Sequence, residues 1–254
     1  MSFVQRFLVP LSLSCLLAPL ASASEYAKVT PDQSGAVATV HPLATQAALD
    51  VYARGGNAVD AAVAASLTLA VVDGHNSGIG GGLFALVHWA DGRVEAIDGR
   101  ERAPAAAHRD MFIRDGKGDI GLSTVGPLAA GIPGSIAAFE YLMAEGGKLK
   151  YKDVLHPAAD LAEQGFELNQ IYARRLAGSV EEISQFPATA KILLNDKGEA
   201  WPTGHKLVQK DLAKTLRAIA KDGAHHFYRG DFAKAAGKWM QGNGGIITDK
   251  DFAD

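Results

Sequence analysis

Residues 55–72 read GGNAVDAAVAASLTLAVV and form the longest run of small and aliphatic residues after residue 23. Asn57 follows two glycines and suits a helix cap, because its side chain can accept hydrogen bonds from the first free backbone N–H groups. Residues 58–72 are almost wholly small or aliphatic, with Asp60 the one charge, which indicates a helix buried over most of its circumference. A membrane span is the alternative, but it needs about 20 apolar residues. The sequence therefore predicts a central helix in a layer covered on both sides.

Shorter elements flank this helix. Upstream, residues 36–40 predict a short strand, and residues 43–54 predict a helix that ends at the two glycines. Downstream, residues 83–89 predict a strand and residues 94–98 its antiparallel partner, because turn-forming residues separate the two runs. A hairpin thus follows the central helix.

A glycine-rich loop, DGHNSGIGGG at residues 73–82, joins the helix to the hairpin. A nucleotide cradle would need a G-x-G-x-x-G spacing followed by a helix, whereas a strand follows here. We therefore expect these glycines to permit positive φ angles and a close approach of neighbouring backbone.

The hairpin ends in GRERAP at residues 99–104, which places three charges at a strand end. The planar guanidinium of an arginine can hold a carboxylate through two parallel hydrogen bonds, so an arginine here suits a substrate with a free carboxylate. An exposed run of charges that serves only solubility is the alternative. The spacing alone leaves both readings open.

The rest of the chain predicts mainly helices. Ser135 is expected to cap the first of them, and TDKD at residues 248–251 resembles the start of a last helix, three residues before the chain ends. Residues 186–208 are rich in turn-forming residues and predict a looser segment. No repeat or linker divides the chain into independent domains. The helices are predicted at residues 136–144, 151–164, 211–220 and 231–240.

Composition excludes several classes of protein. The chain has 254 residues, of which 48% are hydrophobic and 21% charged, and its formal net charge is −3. These values are typical of a globular protein, and no basic cluster predicts a nucleic-acid partner. His225 and His226 are adjacent and diverge on any regular element, so no metal site is expected.

The first 23 residues predict a signal peptide. Arg6 supplies the positive charge, residues 7–20 are mainly apolar, and Ala-Ser-Ala at residues 21–23 is a small-x-small cleavage site. An uncleaved transmembrane helix is the alternative, but the apolar run is short and two prolines interrupt it. We expect cleavage before Ser24, no membrane span afterwards, and a periplasmic or secreted product. The only cysteine, Cys15, leaves with the leader.

Four motifs follow one another along the chain: GGNAVDAAVA at residues 55–64, SGIGGG at 77–82, DGRERAP at 98–104 and GIPGS at 131–135. Their order and spacing resemble the γ-glutamyltransferase (glutathione hydrolase) family, and the similarity runs over about residues 30–254. Three positions depart from the family's usual residues: Gly74 replaces a proline, Asn76 a serine and Leu83 a fourth glycine. Weaker matches are LHPA at 155–158, GF at 165–166, FYRG at 227–230 and GGIIT at 244–248.

The resemblance implies the N-terminal portion of a large subunit, residues 24–254. Its fold is expected to be α+β, with the αββα layers of N-terminal-nucleophile hydrolases incomplete in this chain. In that family a threonine, freed by self-cleavage, attacks a γ-glutamyl amide, and water or an amine then takes the γ-glutamyl group. The family requires no metal or organic cofactor. By motif, Arg100 is the residue that binds the α-carboxylate of the γ-glutamyl group.

The threonine nucleophile does not carry over to this chain. It opens the family's small subunit, and no threonine here lies in a Thr-Thr-His or similar context. We therefore expect no catalytic residue in this chain. The expected partners are a γ-glutamyl substrate such as glutathione, the C-terminal part of the large subunit, and the small subunit. A secreted, inactive carboxylate-binding or scaffold protein is the alternative, and the reading frame after Asp254 would separate the two.

Overall fold

The computed structural model describes residues 24–254. The predicted signal peptide, residues 1–23, lies outside the described residues. No helix within residues 24–254 combines the length and the apolar character needed to span a bilayer.

The described residues form short antiparallel strands and a larger number of helices. The strands are β1 (Ala27–Val29), β2 (Ala36–Ala38), β3 (Leu83–His88), β4 (Val94–Gly99), β5 (Ile113–Arg114), β6 (Lys117–Gly118), β7 (Phe166–Glu167) and β8 (Lys206–Leu207). The helices are α1 (Pro42–Ala53), α2 (Ala58–Val72), α3 (Ile120–Thr124), α4 (Ser135–Gly146), α5 (Tyr151–Gln164), α6 (Gln170–Gly178), α7 (Val180–Ser184), α8 (Pro187–Leu193), α9 (Lys210–Asp222), α10 (Ala224–Tyr228), α11 (Asp231–Gly242) and α12 (Asp249–Ala253).

Helix α2 lies at the centre of the core, as predicted. It packs against α1, α4 and α5, and α5 in turn packs against α9. Val63, Leu67 and Val71 are almost completely buried. Burial of one such side chain contributes about 1.5–3 kcal/mol, so the apolar surface of α2 is a main source of stability. Asn57 caps the helix as expected, since its side chain accepts from the backbone N–H groups of Val59 and Asp60.

The only charge inside α2, Asp60, is fully buried and ties two parts of the core together. Its carboxylate accepts hydrogen bonds from the backbone N–H groups of Asn57 at 2.8 Å, of Lys148 at 3.0 Å and of Leu149 at 3.0 Å. The last two residues belong to the connection between α4 and α5. A buried carboxylate with several backbone donors is well satisfied, so Asp60 fixes that connection against the start of α2.

Replacing Asp60 by asparagine is expected to destabilise the chain by about 3 kcal/mol, because hydrogen bonds to a charged group are lost and an amide N–H₂ faces backbone donors. In the complete protein, with the downstream parts that the resemblance implies, the temperature at which half of the helical circular dichroism is lost should fall clearly below that of the wild type. Asp196→Asn is the matched control, since Asp196 is exposed and surface changes stay within about 0.5 kcal/mol. Equal temperatures for the two variants would contradict the anchoring role.

The hairpin β3–β4 has one covered face and one bare face. The strands pair antiparallel, with Leu83 opposite Gly99 and His88 opposite Val94, as predicted. Leu83 and Ile97 pack against the core, and α4 contacts β4. On the other face Phe84, Leu86 and Val94 are 67%, 75% and 61% exposed. A sheet with a helical layer on one side only is an incomplete α+β arrangement, as expected.

Two local predictions were wrong. Ser135 does not cap α4: the N-cap position is Gly134, and no side chain caps this helix. Residues 186–208 are less irregular than expected, because Pro187 opens a short helix, α8, and Lys206–Leu207 pairs with Phe166–Glu167. Pairing over two residues is too short to produce an alternating pattern that sequence analysis can detect.

Candidate functional site

The glycine-rich loop approaches the end of β4 very closely. A Cβ atom on Gly82 would lie 2.7 Å from the carbonyl oxygen of Gly99 and 2.8 Å from Cα of Arg100. Any side chain at residue 82 would displace this backbone, so the prediction of close approach is confirmed. The prediction of positive φ was wrong for this loop, since none of the glycines in residues 73–82 has a positive φ.

The departure from the family pattern at Gly74 has a steric explanation. A Cβ atom at this position would lie 2.6 Å from the hydroxyl oxygen of Tyr172. Tyr172 is buried, and its ring contacts that of His75 edge-to-face, with 4.9 Å between centroids. Burial raises the pKa of Tyr172 to about 12. The phenol therefore occupies the space that a proline ring would need at residue 74.

The GIPGS motif packs against the place where the glycine-rich loop meets the end of β4. We call this place the junction. The carbonyl oxygen of Gly81 accepts three hydrogen bonds, from the Ser135 hydroxyl at 2.5 Å and from the backbone N–H groups of Gly134 at 3.1 Å and of Ser135 at 3.2 Å. Ile132 and Arg102 form an isolated antiparallel bridge, with N···O distances of 3.0 and 2.8 Å. The segment that carries Arg100 is thus held between two other motifs.

Three of the four motifs meet at this junction, and the fourth does not. The loop at residues 77–82, the segment at 98–104 and the turn at 131–135 contact one another, whereas the motif at 55–64 supports the α4–α5 connection through Asp60. A later match, Tyr228, also reaches the junction: its hydroxyl donates to the carbonyl of Pro133 at 2.9 Å and accepts from the N–H of Ala137 at 3.1 Å. Burial raises the pKa of Tyr228.

Arg100 follows directly after β4 and has a fixed backbone but an open side chain. Its N–H donates to Oδ1 of Asp98 at 3.0 Å. Its guanidinium carbon lies 5.9 Å from the ring centroid of Phe84, and its Nε lies 3.9 Å from the Glu101 carboxylate. The side chain is 69% exposed, so the ion pair is weak and the guanidinium remains free to bind an anion. A carboxylate is the anion that its planar fork fits best.

A cavity of about 750 Å³ lies beside Arg100. Its walls come from β4, α4, α10 and α12, and Arg100 and Arg102 both line it. Glu95 helps to hold two of these walls together, because its carboxylate accepts from the Tyr141 hydroxyl at 2.6 Å and from Nε1 of Trp89 at 3.0 Å. The Tyr141 hydroxyl, followed by Trp89, lowers the pKa of Glu95. These contacts fasten the hairpin to α4 and so set the position of the cavity wall.

Within residues 24–254 no group of three or more potential metal-binding side chains lies close together. His225 and His226 belong to α10, and His225 also lines the cavity beside Arg100. The predicted capping pattern at the last helix is confirmed: Thr248 and Asp251 form a reciprocal capping box at α12. Asp251 also accepts from the N–H of Ala105 at 2.8 Å, which links α12 to the end of the Arg100 segment.

Comparisons with known proteins agree with this geometry. Two solved γ-glutamyltranspeptidases superimpose on the chain. That of Helicobacter pylori has a TM-score of 0.83 and 40% identity, and the match covers 85% of this chain and 62% of the other. That of Pseudomonas nitroreducens has a TM-score of 0.81 and 35% identity, and the match covers 87% of this chain and 64% of the other. The chain therefore has the α+β fold of an N-terminal-nucleophile hydrolase, in incomplete form.

The sequence comparisons define the family. The model of the family described as gamma-glutamyltranspeptidase matches residues 44–254. Glutathione hydrolase proenzymes are similar over most of the chain: that of Pseudomonas sp. (strain A14) is 39% identical over 97% of it, and that of Escherichia coli (strain K12) is 40% identical over 87%. The chain belongs to the γ-glutamyltranspeptidase family. It spans 43% of the length of the Pseudomonas relative and 38% of that of the Escherichia coli relative.

Three residues shape the site through contacts that the sequence did not predict, although Ser135 and Tyr228 belong to the matched motifs. Phe84 lies beneath Arg100, Ser135 binds Gly81, and Tyr228 supports the GIPGS turn. For Phe84 a signal existed, because it lies opposite Asp98 in the hairpin register and thus beside the strand end that carries Arg100. The contacts of Ser135 and Tyr228 join residues 54 and 95 positions apart, and no local pattern encodes them.

Proposed function

We propose that this chain is the N-terminal part of the large subunit of an enzyme that hydrolyses glutathione and related γ-glutamyl compounds or transfers their γ-glutamyl group. Arg100 binds the α-carboxylate of that group. One observation carries the proposal: two other motifs hold the backbone of Arg100, while its side chain stays exposed beside a cavity. Identity of 39–40% to glutathione hydrolase proenzymes supports the substrate class.

In this proposal Arg100 orients the substrate for acyl transfer. Two N–H groups of the guanidinium donate to the two oxygens of the α-carboxylate, which fixes the direction of the γ-amide. A threonine hydroxyl from the downstream part attacks the amide carbon, its proton passes to the threonine's own amine, and the leaving amine departs with a proton. Water or an acceptor amine then releases the γ-glutamyl group. Because the bound donor makes this carboxylate contact both before and during the reaction, its loss is expected chiefly in KM.

The test uses the complete proenzyme, meaning this chain followed by the downstream part that its curated relatives possess. It should hydrolyse a chromogenic γ-glutamyl anilide without added metal or organic cofactor. It should also transfer the γ-glutamyl group to an amine such as glycylglycine. A folded complete protein that binds γ-glutamyl compounds but does not turn them over would instead support the alternative, a catalytically inactive carboxylate-binding or scaffold protein.

A separate prediction concerns localisation in the periplasm. Expressed with its own leader in a Gram-negative host, the protein should accumulate there with Ser24 as its new N-terminus, because the positive charge, the apolar run and the Ala-Ser-Ala site act together. Cell fractionation with N-terminal sequencing measures this. Ala23→Asp is expected to block cleavage, since signal peptidase needs a small residue there, whereas Ser22→Asn should be processed normally. A cytoplasmic product that retains Met1 would contradict the prediction.

A further inference from the structure

We propose that Ser135 is a positioning residue for Arg100, acting through the carbonyl of Gly81. The inference rests on the proposed function, since it assigns a task to a residue that does not itself touch the substrate. Ser135 is 2% exposed, and its hydroxyl makes no capping bond to α4. The hydroxyl instead donates to a carbonyl 54 residues earlier in the chain.

The bond to Gly81 is additional to what the fold needs at this point. A carbonyl oxygen has two lone pairs, and the N–H groups of Gly134 and Ser135 already donate to it at 3.1 and 3.2 Å. The hydroxyl bond, at 2.5 Å, is the shortest of the three. Loss of the hydroxyl therefore leaves the carbonyl satisfied. It removes the contact that draws the glycine-rich loop most closely onto the turn.

The same loop and turn enclose the backbone of Arg100. A Cβ on Gly82 would lie 2.8 Å from Cα of Arg100, and a Cβ on Gly134 would lie 2.7 Å from its carbonyl oxygen. Both glycines are sequence neighbours of the two partners in the Ser135 bond. A shift of the loop relative to the turn therefore also moves the main chain of Arg100, because there is no free space between these close-packed backbones.

The side chain of Arg100 has little other support. Its ion-pair distance to Glu101 is 3.9 Å, and the ring that it contacts, Phe84, is itself mostly exposed. The point from which the guanidinium reaches the cavity therefore depends on the position of its own backbone. Since two-point recognition of a carboxylate is sensitive to orientation, a looser backbone weakens substrate binding more than the later chemical step.

The experiment compares kinetic constants of Ser135→Ala, Ser135→Thr and Arg100→Ala in the complete proenzyme, with a γ-glutamyl anilide as donor. We expect Ser135→Ala to raise KM by a factor of about 5 to 10 with little change in kcat, a typical size for coupling between neighbouring residues. Ser135→Thr retains the hydroxyl and should restore KM. Ser184→Ala is the control, since it removes another hydroxyl-to-carbonyl bond in the exposed helix α7.

A double variant separates positioning from general stabilisation. If Ser135 acts through Arg100, Ser135→Ala should have almost no further effect on KM in an Arg100→Ala background. Additive effects in the cycle would overturn the proposal, as would an unchanged KM in Ser135→Ala or failure of that variant to fold. If KM is unchanged in the single variant Arg100→Ala, both the proposed function and this inference are overturned. If KM rises in Arg100→Ala but not in Ser135→Ala, only this inference is overturned.

Discussion

Replacing Arg100 by lysine is expected to lower kcat/KM of the complete proenzyme for γ-glutamyl donors by a factor of about 10 to 100, since loss of a charge-assisted hydrogen bond costs about 1.5–3 kcal/mol. The charge is kept, so the loss reports the planar two-point contact that an ammonium group cannot make. Steady-state hydrolysis of a γ-glutamyl anilide measures it.

Arg93→Lys is the matched control for this variant. Arg93 lies at the turn of the same hairpin, is 68% exposed against 69% for Arg100, and pairs with Asp91 at 2.8 Å. Its replacement should leave kcat/KM unchanged, because an exposed ion pair contributes little. Equal activity of the Arg100 and Arg93 variants would show that Arg100 is an ordinary surface charge, the alternative that its spacing left open.

The chain on its own is expected to show no γ-glutamyl hydrolysis or transfer and to aggregate. Activity is absent because acyl transfer needs an activated nucleophile, and this chain is expected to supply only a substrate-binding residue. Aggregation follows from the bare face of the hairpin, where apolar side chains and two unpaired strand edges meet water. Purified residues 24–254 can be assayed with a γ-glutamyl anilide and examined by size-exclusion chromatography.

The cause of aggregation can be tested with two matched substitutions. Leu86→Thr removes an apolar side chain from the bare face and should raise the soluble fraction of residues 24–254, whereas Ile120→Thr, at an equally exposed position in α3, should not. Adding the downstream part should bury the hairpin face and remove the difference. A cooperative melt of monomeric residues 24–254 would contradict the expected aggregation. Turnover by this chain that Arg100→Ala abolishes would contradict the expected lack of activity.

The elements that position the site were largely predictable from sequence. Helix α2 was identified because a run of small aliphatic residues with one internal charge, too short to span a bilayer, is typical of a buried helix. The hairpin was identified because turn residues separate two short apolar runs, and this set Arg100 at a strand end. The role that we propose for Arg100, binding of the α-carboxylate, came from the family resemblance, because the local sequence pattern alone does not indicate it.

The remaining parts of the site depend on contacts between distant residues. Ser135 has the residue type of a helix cap, yet it lies one residue inside α4, and its hydroxyl donates to the carbonyl of Gly81 instead. The covering of Gly74 by Tyr172 likewise joins α6 to a loop almost one hundred residues earlier. Tertiary contacts of this kind override local preference, and a single sequence gives no sign of them.

Binding of the α-carboxylate by Arg100 can be tested with two donors that differ only in this group: a γ-glutamyl anilide and the corresponding γ-aminobutyryl anilide. The complete proenzyme should prefer the γ-glutamyl donor strongly in kcat/KM, and Arg100→Ala should abolish most of that preference by acting on the γ-glutamyl donor alone. If Arg100→Ala lowers kcat/KM for both donors equally, Arg100 does not bind the α-carboxylate.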